Sequence, residues 1–568
     1  MTTKNLLSWN NLTITANRKN IISQANGYIS SGLCAIMGHS GSGKTTLLSA
    51  LAKRVQDNKM NISGDLLLNN QQYNHSLIKK ISGYVMQDDI VHSYLTVYET
   101  LKYIAELKMH TTNEKLLDRV EYIINKMDLI NCRDNIIGNI WDKGISGGER
   151  KRLCIAIELL TNPKILFLDE PTSGLDSMTA YNLIISLKQL ADEGCMVIIT
   201  IHQPSNDLVC LFDNLILMKT GSIYYNGPVI DAINYITTTF NQPNINYSNI
   251  MLSNEINIKP KIIYTLIDIS VNNQFEITTN QSWYRECNVL FRRNIKYYTR
   301  NVKLILFNII STIIVSFFTC SSVWNNIGTH KSSVPLRQAV LFFCVIHQGI
   351  ISSLQGTHSF PLERIIMLKE RKVGTYNISA YFIAKIFADM IFQIIYPIIF
   401  TCITYYNIGL QPDVSKFFIF MSFMILASIS ATSLASMISC IFHTIELSTI
   451  ILGLLYEISR LYGGWFISPK LMSIYPNWKF ADSLSYIKYS FVGVSLNENN
   501  NLLITCLSNE LTNTSCIIPP LNIPPYTGNA FNSYYGYNEY TISFCAGILL
   551  IYIFGCKLIT YLALKYNI

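Results

Sequence analysis

From about residue 303 onward the chain carries six apolar runs of roughly twenty residues each, at about 303–323, 338–358, 380–405, 415–441, 444–466 and 541–565. A helix needs ~20 apolar residues to cross the hydrocarbon core of a bilayer, and backbone placed there must satisfy its own hydrogen bonds. Six such runs therefore predict an all-α domain of six membrane-crossing helices, with a long external loop at about 467–540. Composition agrees: hydrophobic residues make up 49% of 568 and charged residues only 14%, too apolar for a water-soluble chain of this size. The apolarity is uneven, because residues up to about 250 read as mixed globular sequence. Two parts are expected.

The net charge of +8 does not mark a nucleic-acid binder, since the basic residues show no such pattern. Arg292, Arg293, Lys296, Arg300 and Lys303 stand directly before the first apolar run, where cytoplasmic flanks of a membrane helix belong. The segment 361–379 after the second run is also mostly basic and reads as a cytoplasmic loop. Lys470, Lys479 and Lys488 dilute this bias in the long loop. Residues 1–10 hold no apolar stretch of signal-peptide length, so the N-terminal half is expected in the cytosol.

That half alternates short apolar strands with helical stretches, as α/β nucleotide-binding domains do. Three strands are expected at 34–38, 164–170 and 196–202, with a polar helical stretch at 95–139. The first runs into GHSGSGKT at 38–45, which matches the P-loop spacing. Here Gly38, His39, Ser40, Gly41, Ser42 and Gly43 would turn backbone N–H groups onto phosphate, helped by the N-terminus of the helix that follows. Lys44 would reach the β- and γ-phosphates, the Thr45 hydroxyl would ligate Mg²⁺, and Thr46 completes the loop. The second strand ends in two carboxylates: Asp169 for Mg²⁺, and Glu170 as the general base that polarises water. A second phosphate-binding turn, ISGGERKR at 145–152, places Ser146, Gly147, Gly148 and Glu149 at the opening of a helix. With one P-loop already present, this turn implies an ATP sandwiched between two copies.

These motifs resemble those of the ABC transporter ATPases. The resemblance makes Ser146, Gly147, Gly148 and Glu149 the signature motif, Gln87 the Q-loop glutamine linking Mg²⁺ to the membrane domain, Asp176 the D-loop aspartate, and His202 the switch histidine at the γ-phosphate. VMQDDI, LTVYETL, DEPTSGLDS, TIHQPS, FPLERIIMLKER, YNISAYFIAK and YGG narrow it to the G subfamily, the White-type half-transporters. The resemblance implies a cytosolic nucleotide-binding domain at 1–240, a linker at 241–282, an amphipathic connecting helix at 283–302 and a membrane domain at 303–568. It further implies ATP and Mg²⁺ as cofactors, a second half-transporter as partner, and export of a lipid, amphipathic or other small molecule, with the plasma membrane as the expected location. A regulatory membrane ATPase that moves no solute is the alternative reading.

Three positions depart from the subfamily pattern. Residues 246–249 read NYSN where an Asn-Pro-Ala-Asp stretch is usual, and no aromatic between Trp9 and Tyr28 offers itself for stacking on adenine. In the fifth run, Glu457 and Arg460 lie at i, i+3 on one helix face. Charge inside a span is costly and marks either an ion pair that holds the bundle or a polar pathway. In the second reading Glu457 and Arg460, with Gln348 of the second run, line a substrate slot and favour a polar or amphipathic substrate over a sterol. The long loop holds Cys506, Cys516 and a glycosylation acceptor at Asn513. The two cysteines admit an intraloop disulfide, a bridge to a second subunit, or free thiols.

Overall fold

The computed structural model describes residues 6–16, 19–54, 60–139, 142–240, 247–252, 282–322, 324–330, 333–442, 444–505 and 527–566. Cys506, Cys516, Asn513 and most of the expected linker lie outside the described residues. The chain forms two compact units, residues 1–289 with 369–376, and residues 290–368 with 377–568.

The first unit is built on two sheets. β1 (Leu7–Ala16), β2 (Lys19–Ile29), β4 (Met60–Leu68) and β5 (Gln71–Gln72) make an antiparallel sheet in the order β2-β1-β4-β5. The second sheet takes β3 (Leu33–Gly38), β6 (Ser82–Val85), β7 (Ile165–Leu168), β8 (Met196–Ile201), β9 (Asn214–Lys219) and β10 (Ser222–Pro228). Its order is β10-β9-β3-β8-β7-β6, parallel except for the β9–β10 hairpin. β3, β7 and β8 are buried at every position, which explains why they read as unbroken apolar runs. Each expected strand is found: β3 begins one residue earlier, at Leu33, and β7 and β8 end before the polar site residues Asp169, Glu170 and His202. The expected linker starts later than 241: Tyr247–Leu252 is helical and packs into this unit, with Met251 and Leu252 buried and Ser248 Oγ donating to Pro204 O at 2.8 Å. Two apolar side chains anchor what composition alone presented as a polar stretch.

Five helices of the second unit are long and apolar enough to cross a membrane among the described residues: Val302–Ser321, the first part of Ser333–Val373, Ile378–Ile408, Val414–Ile441 and Ile542–Tyr566. The run expected at 444–466 forms Ile445–Leu461, 17 residues, or ~26 Å against the ~30 Å core. The basic segment expected as a loop at 361–379 is instead helical as far as Val373, within one helix of 41 residues. Its Leu, Glu, Met, Arg and Lys are good helix formers, and the helix stops only at Gly374, whose φ of +78° closes it while its N–H donates to Glu370 O at 3.0 Å.

The expected external loop also needs correction. It contains Tyr486–Asn499, a 14-residue helix buried at every position, whose Phe491, Val492 and Val494 join the core of the helical unit. Sequence pattern missed it because it is shorter than a span, shows no amphipathic period and carries Lys488 and Glu498. Lys488 is neutralised by Asp482, and Glu498 by Arg337.

Candidate nucleotide site

Parallel pairing in the order β3-β8-β7-β6 brings four distant chain segments side by side at the carboxyl ends of their strands, where α/β sheets bind ligands. The P-loop follows β3, His202 follows β8, Asp169 and Glu170 follow β7, and Gln87 lies two residues beyond β6.

The P-loop turns through Gly41 and Gly43, whose φ values of +78° and +98° are left-handed. Nothing lies within 4 Å of where a Cβ on Gly41 would stand, so the loop leaves an open cradle. α1 (Lys44–Leu51) starts directly behind it. Ser42 Oγ is buried without a hydrogen-bond partner among the described residues, and Lys44 Nζ donates to Gly38 O at 2.8 Å and His39 O at 3.1 Å. Burial pulls the Lys44 ammonium below its usual range, with the nearby charges of Glu170 and Asp169 opposing this in part. A phosphate placed in the cradle would stabilise that buried cation. A buried hydroxyl free to bond, a buried lysine and an open glycine turn together fit a nucleotide phosphate.

Asp169 Oδ1 accepts from Thr45 Oγ1 at 3.0 Å and from Thr200 Oγ1 at 2.7 Å. Glu170 has φ +45°, and its N–H donates to Thr200 Oγ1 at 2.8 Å. Its carboxylate accepts from Gln87 Nε2 at 3.0 Å, and Ser40 Oγ stands 3.3 Å from His202 Nε2. The hydroxyl, the carboxylate and the amide side chain of Thr45, Asp169 and Gln87 are hard oxygen donors that suit Mg²⁺. Thr200 was not singled out from sequence. Its signal was there: a polar residue in an apolar strand, two positions before His202 and so on the same face.

The signature turn stands apart. Ser146 caps α2 (Gly147–Leu159) in a reciprocal box: Glu149 N–H donates to Ser146 Oγ at 3.3 Å, and Ser146 N–H donates to Glu149 Oε2 at 2.7 Å. Burial pushes the Glu149 carboxyl up, but the bonds from Ser146 outweigh it and hold it below the usual range. A Cβ on Gly148 would meet Thr179 Cγ2 at 2.4 Å. That threonine is held by Asp176, which caps α3 (Ser177–Asp192) and accepts from Thr179 N–H at 3.0 Å. The D-loop therefore packs on the signature helix. Ser146–Glu149 share no hydrogen bond with the P-loop cluster among the described residues.

Lys151 also joins the two regions. Lys151, 2% exposed on α2, pairs with Asp89 at 2.8 Å and donates to Gln87 O at 2.8 Å. The next turn of that segment is held by Lys369 Nζ, which donates to Ile90 O at 3.1 Å. No sequence signal marks Lys151, because only packing buries it. Lys151→Met is expected to free the Gln87 backbone and lower ATP turnover by about tenfold with little change in ATP binding. Phosphate release and nucleotide binding, measured separately, check this; an equal loss of both would mean the domain had simply lost its fold. Trp9 is fully buried against Gly27 and is withdrawn from any ligand.

Glu457 and Arg460 form an ion pair, Oε2 to Nη2 at 2.5 Å, with side chains 59% and 44% exposed. Gln348 is 3% exposed, so the single chain does not present it on an open face.

A P-loop ATPase unit with a signature turn, followed by a bundle of membrane helices, defines the class: an ATP-hydrolysing transporter of the ABC type. Residues 24–173 match the family model described as ABC transporter, and residues 285–499 match ABC-2 type transporter. The chain is 31% identical over 551 residues to the broad substrate specificity ATP-binding cassette transporter ABCG2 of Sus scrofa, covering 88% of this chain and 83% of that protein. It is 30% identical over 518 residues to ABC transporter G family member 14 of Arabidopsis thaliana, covering 83% and 77%. It is also 30% identical over 592 residues to the ABC transporter ATP-binding protein/permease wht-1 of Caenorhabditis elegans, covering 96% and 87%. The chain belongs to the G family of ABC transporters, integral membrane proteins that couple ATP hydrolysis to transport.

Proposed function

We propose that two half-transporters, each like this chain, close around two ATP molecules and thereby export a lipid, an amphipathic compound or another small molecule across the plasma membrane. The observation that carries this reading is the separation of the phosphate-binding groups. The P-loop, Gln87, Asp169, Glu170 and His202 make one hydrogen-bonded cluster, while the signature turn of Ser146–Glu149 shares no bond with it among the described residues. A turn so placed completes a site only with the cluster of a second chain. Thr45, Asp169 and Gln87 would hold Mg²⁺, which would supply charge neutralisation at the phosphates. Glu170 takes the proton of the attacking water, oriented by the amide of Gln87, and His202 faces the γ-phosphate. ATP affinity for the closed pair exceeds that for the open one, and this difference is what drives the membrane helices between two accesses. Each cluster carries its full residue set, so two copies of this chain suffice for two competent sites.

On the substrate side, the half-exposed Glu457–Arg460 pair supports a slot with a polar wall, with Gln348 as the weaker contributor. Such a wall favours a polar or amphipathic substrate over a sterol. In liposomes, Glu457→Arg and Arg460→Glu are each expected to abolish substrate-stimulated ATP hydrolysis, and the double reversal to restore it. An unchanged substrate range in both single alanine variants would remove these residues from the slot.

A further inference from the structure

The helical unit holds a second polar site, away from the Glu457–Arg460 pair. A cleft with about 730 Å³ of empty space, its open mouth included, lies among Tyr298, Leu304, Asp389, Phe392, Gln393 and Lys557 and their neighbours. Lys385 stands 7 residues into Ile378–Ile408 and Lys557 stands 9 residues before the end of Ile542–Tyr566. At ~1.5 Å per residue these are ~10 Å and ~13 Å from their helix ends. Tyr298 belongs to the same end, just before Val302–Ser321 begins. The charged mouth of the cleft, at Lys385, Asp389 and Lys557, thus lies toward one end of these helices, and Gln393, 15 residues into Ile378–Ile408, marks its deeper end.

Its charges are incompletely matched. Lys385 lies 2.6 Å from Glu363 and 3.1 Å from Asp389 Oδ1, and Tyr298 Oη donates to Asp389 Oδ1 at 2.6 Å. One cation thus serves two carboxylates, and Asp389 Oδ2 accepts no hydrogen bond from a described residue. Lys557 Nζ has the Ser436 hydroxyl at 3.3 Å, and no carboxylate lies within 4 Å of it among the described residues. Gln393 Oε1 accepts from Thr432 Oγ1 at 3.0 Å, which leaves its amide N–H donors without a described acceptor. The cleft therefore presents an ammonium and amide donors beside a carboxylate oxygen. Leu304, 47% exposed, and the ring of Phe392 give it apolar walls.

We propose that this cleft binds the zwitterionic headgroup of a phospholipid carrying a primary amine, with its phosphate on Lys557 and Gln393, its ammonium on Asp389, and an acyl chain along Leu304 and Phe392. Unmatched charges at hydrocarbon depth are costly, and a ligand bearing both signs satisfies them together. Glu363 and Asp389 balance Lys385 and Lys557, so a net-anionic headgroup would leave the site with uncompensated negative charge. A primary ammonium has N–H donors, one of which Asp389 Oδ2 can accept, where a quaternary ammonium has none. Inorganic phosphate has neither the amine nor the chain.

The test is native mass spectrometry of the full-length protein in detergent, titrated with phosphatidylethanolamine, phosphatidylcholine and phosphatidylglycerol of matched chains, and with inorganic phosphate. Phosphatidylethanolamine is expected to bind about tenfold more tightly than phosphatidylglycerol. Lys557→Gln is expected to lose about that factor and Lys557→Arg to keep it, while Asp389→Asn should erase the preference over phosphatidylcholine. ATP binding serves as the control for folding, and Gln393→Leu weakens the lipid in the same way should Lys557→Gln not fold. Equal lipid binding by wild type and the folded variants overturns the proposal. So does a preference for phosphatidylglycerol, or displacement of the lipid by inorganic phosphate.

Discussion

Glu170→Gln is expected to lower ATP hydrolysis by ~10²–10⁴-fold while leaving ATP binding intact. The substitution is nearly isosteric and removes only the proton-accepting charge. Glu170 keeps its left-handed backbone, whose N–H is fixed by Thr200, and its place beside Gln87 at 3.0 Å. Purified protein in liposomes, assayed for phosphate release and for nucleotide binding, checks both halves. Turnover within about threefold of wild type would mean another group takes the proton and would end the role given to Glu170. No turnover by the wild type itself would mean that this chain needs a different half-transporter as partner.

Arg337→Ala is expected to destabilise the helical unit by about 3–5 kcal/mol, because it strands a buried carboxylate. Arg337 and Glu498 have side chains only 3% and 2% exposed. The guanidinium pairs with Glu498 and also donates to Ile327 O at 2.8 Å and Gly328 O at 3.0 Å. Glu498 accepts in addition from Gln411 N–H at 3.2 Å. This cluster ties the buried helix Tyr486–Asn499 to the start of Ser333–Val373. Replacing both partners, as in Arg337→Met with Glu498→Met, should recover most of the loss, since no charge is then left alone. Thermal unfolding in detergent measures each variant. A shift in the single variant no larger than that of an exposed pair, about 1 kcal/mol or less, would show that water or another cation replaces the guanidinium.

The nucleotide-site residues were legible because each motif is a local device. A glycine turn between a strand and a helix, a strand ending in two carboxylates, and a Ser with Glu three residues later are complete within eight residues. The membrane character was legible for a related reason, since hydrocarbon thickness sets a length that a single apolar run must meet. Two of the apolar runs and the long loop differ in structure from what their sequence suggests. The basic stretch after the second run continues as helix to Val373, the fifth run yields 17 residues, and the long loop hides a fully buried helix. For the helix in the loop, neighbouring residues decide the outcome by burying and neutralising Lys488 and Glu498, which look exposed when read alone.

The sequence by itself determined the two-part architecture, the ATP-binding motifs and the membership of an ABC family, because these rest on spacing along the chain and on apolar length. Only the tertiary structure decided that Thr200 bridges Asp169 and Glu170, that Lys151 holds the Gln87 backbone, and that Lys557 and Asp389 face one cleft. Those relations join residues from different strands and helices. What pairs a buried charge is set by the three-dimensional neighbours that exclude water from it, and no local pattern encodes them.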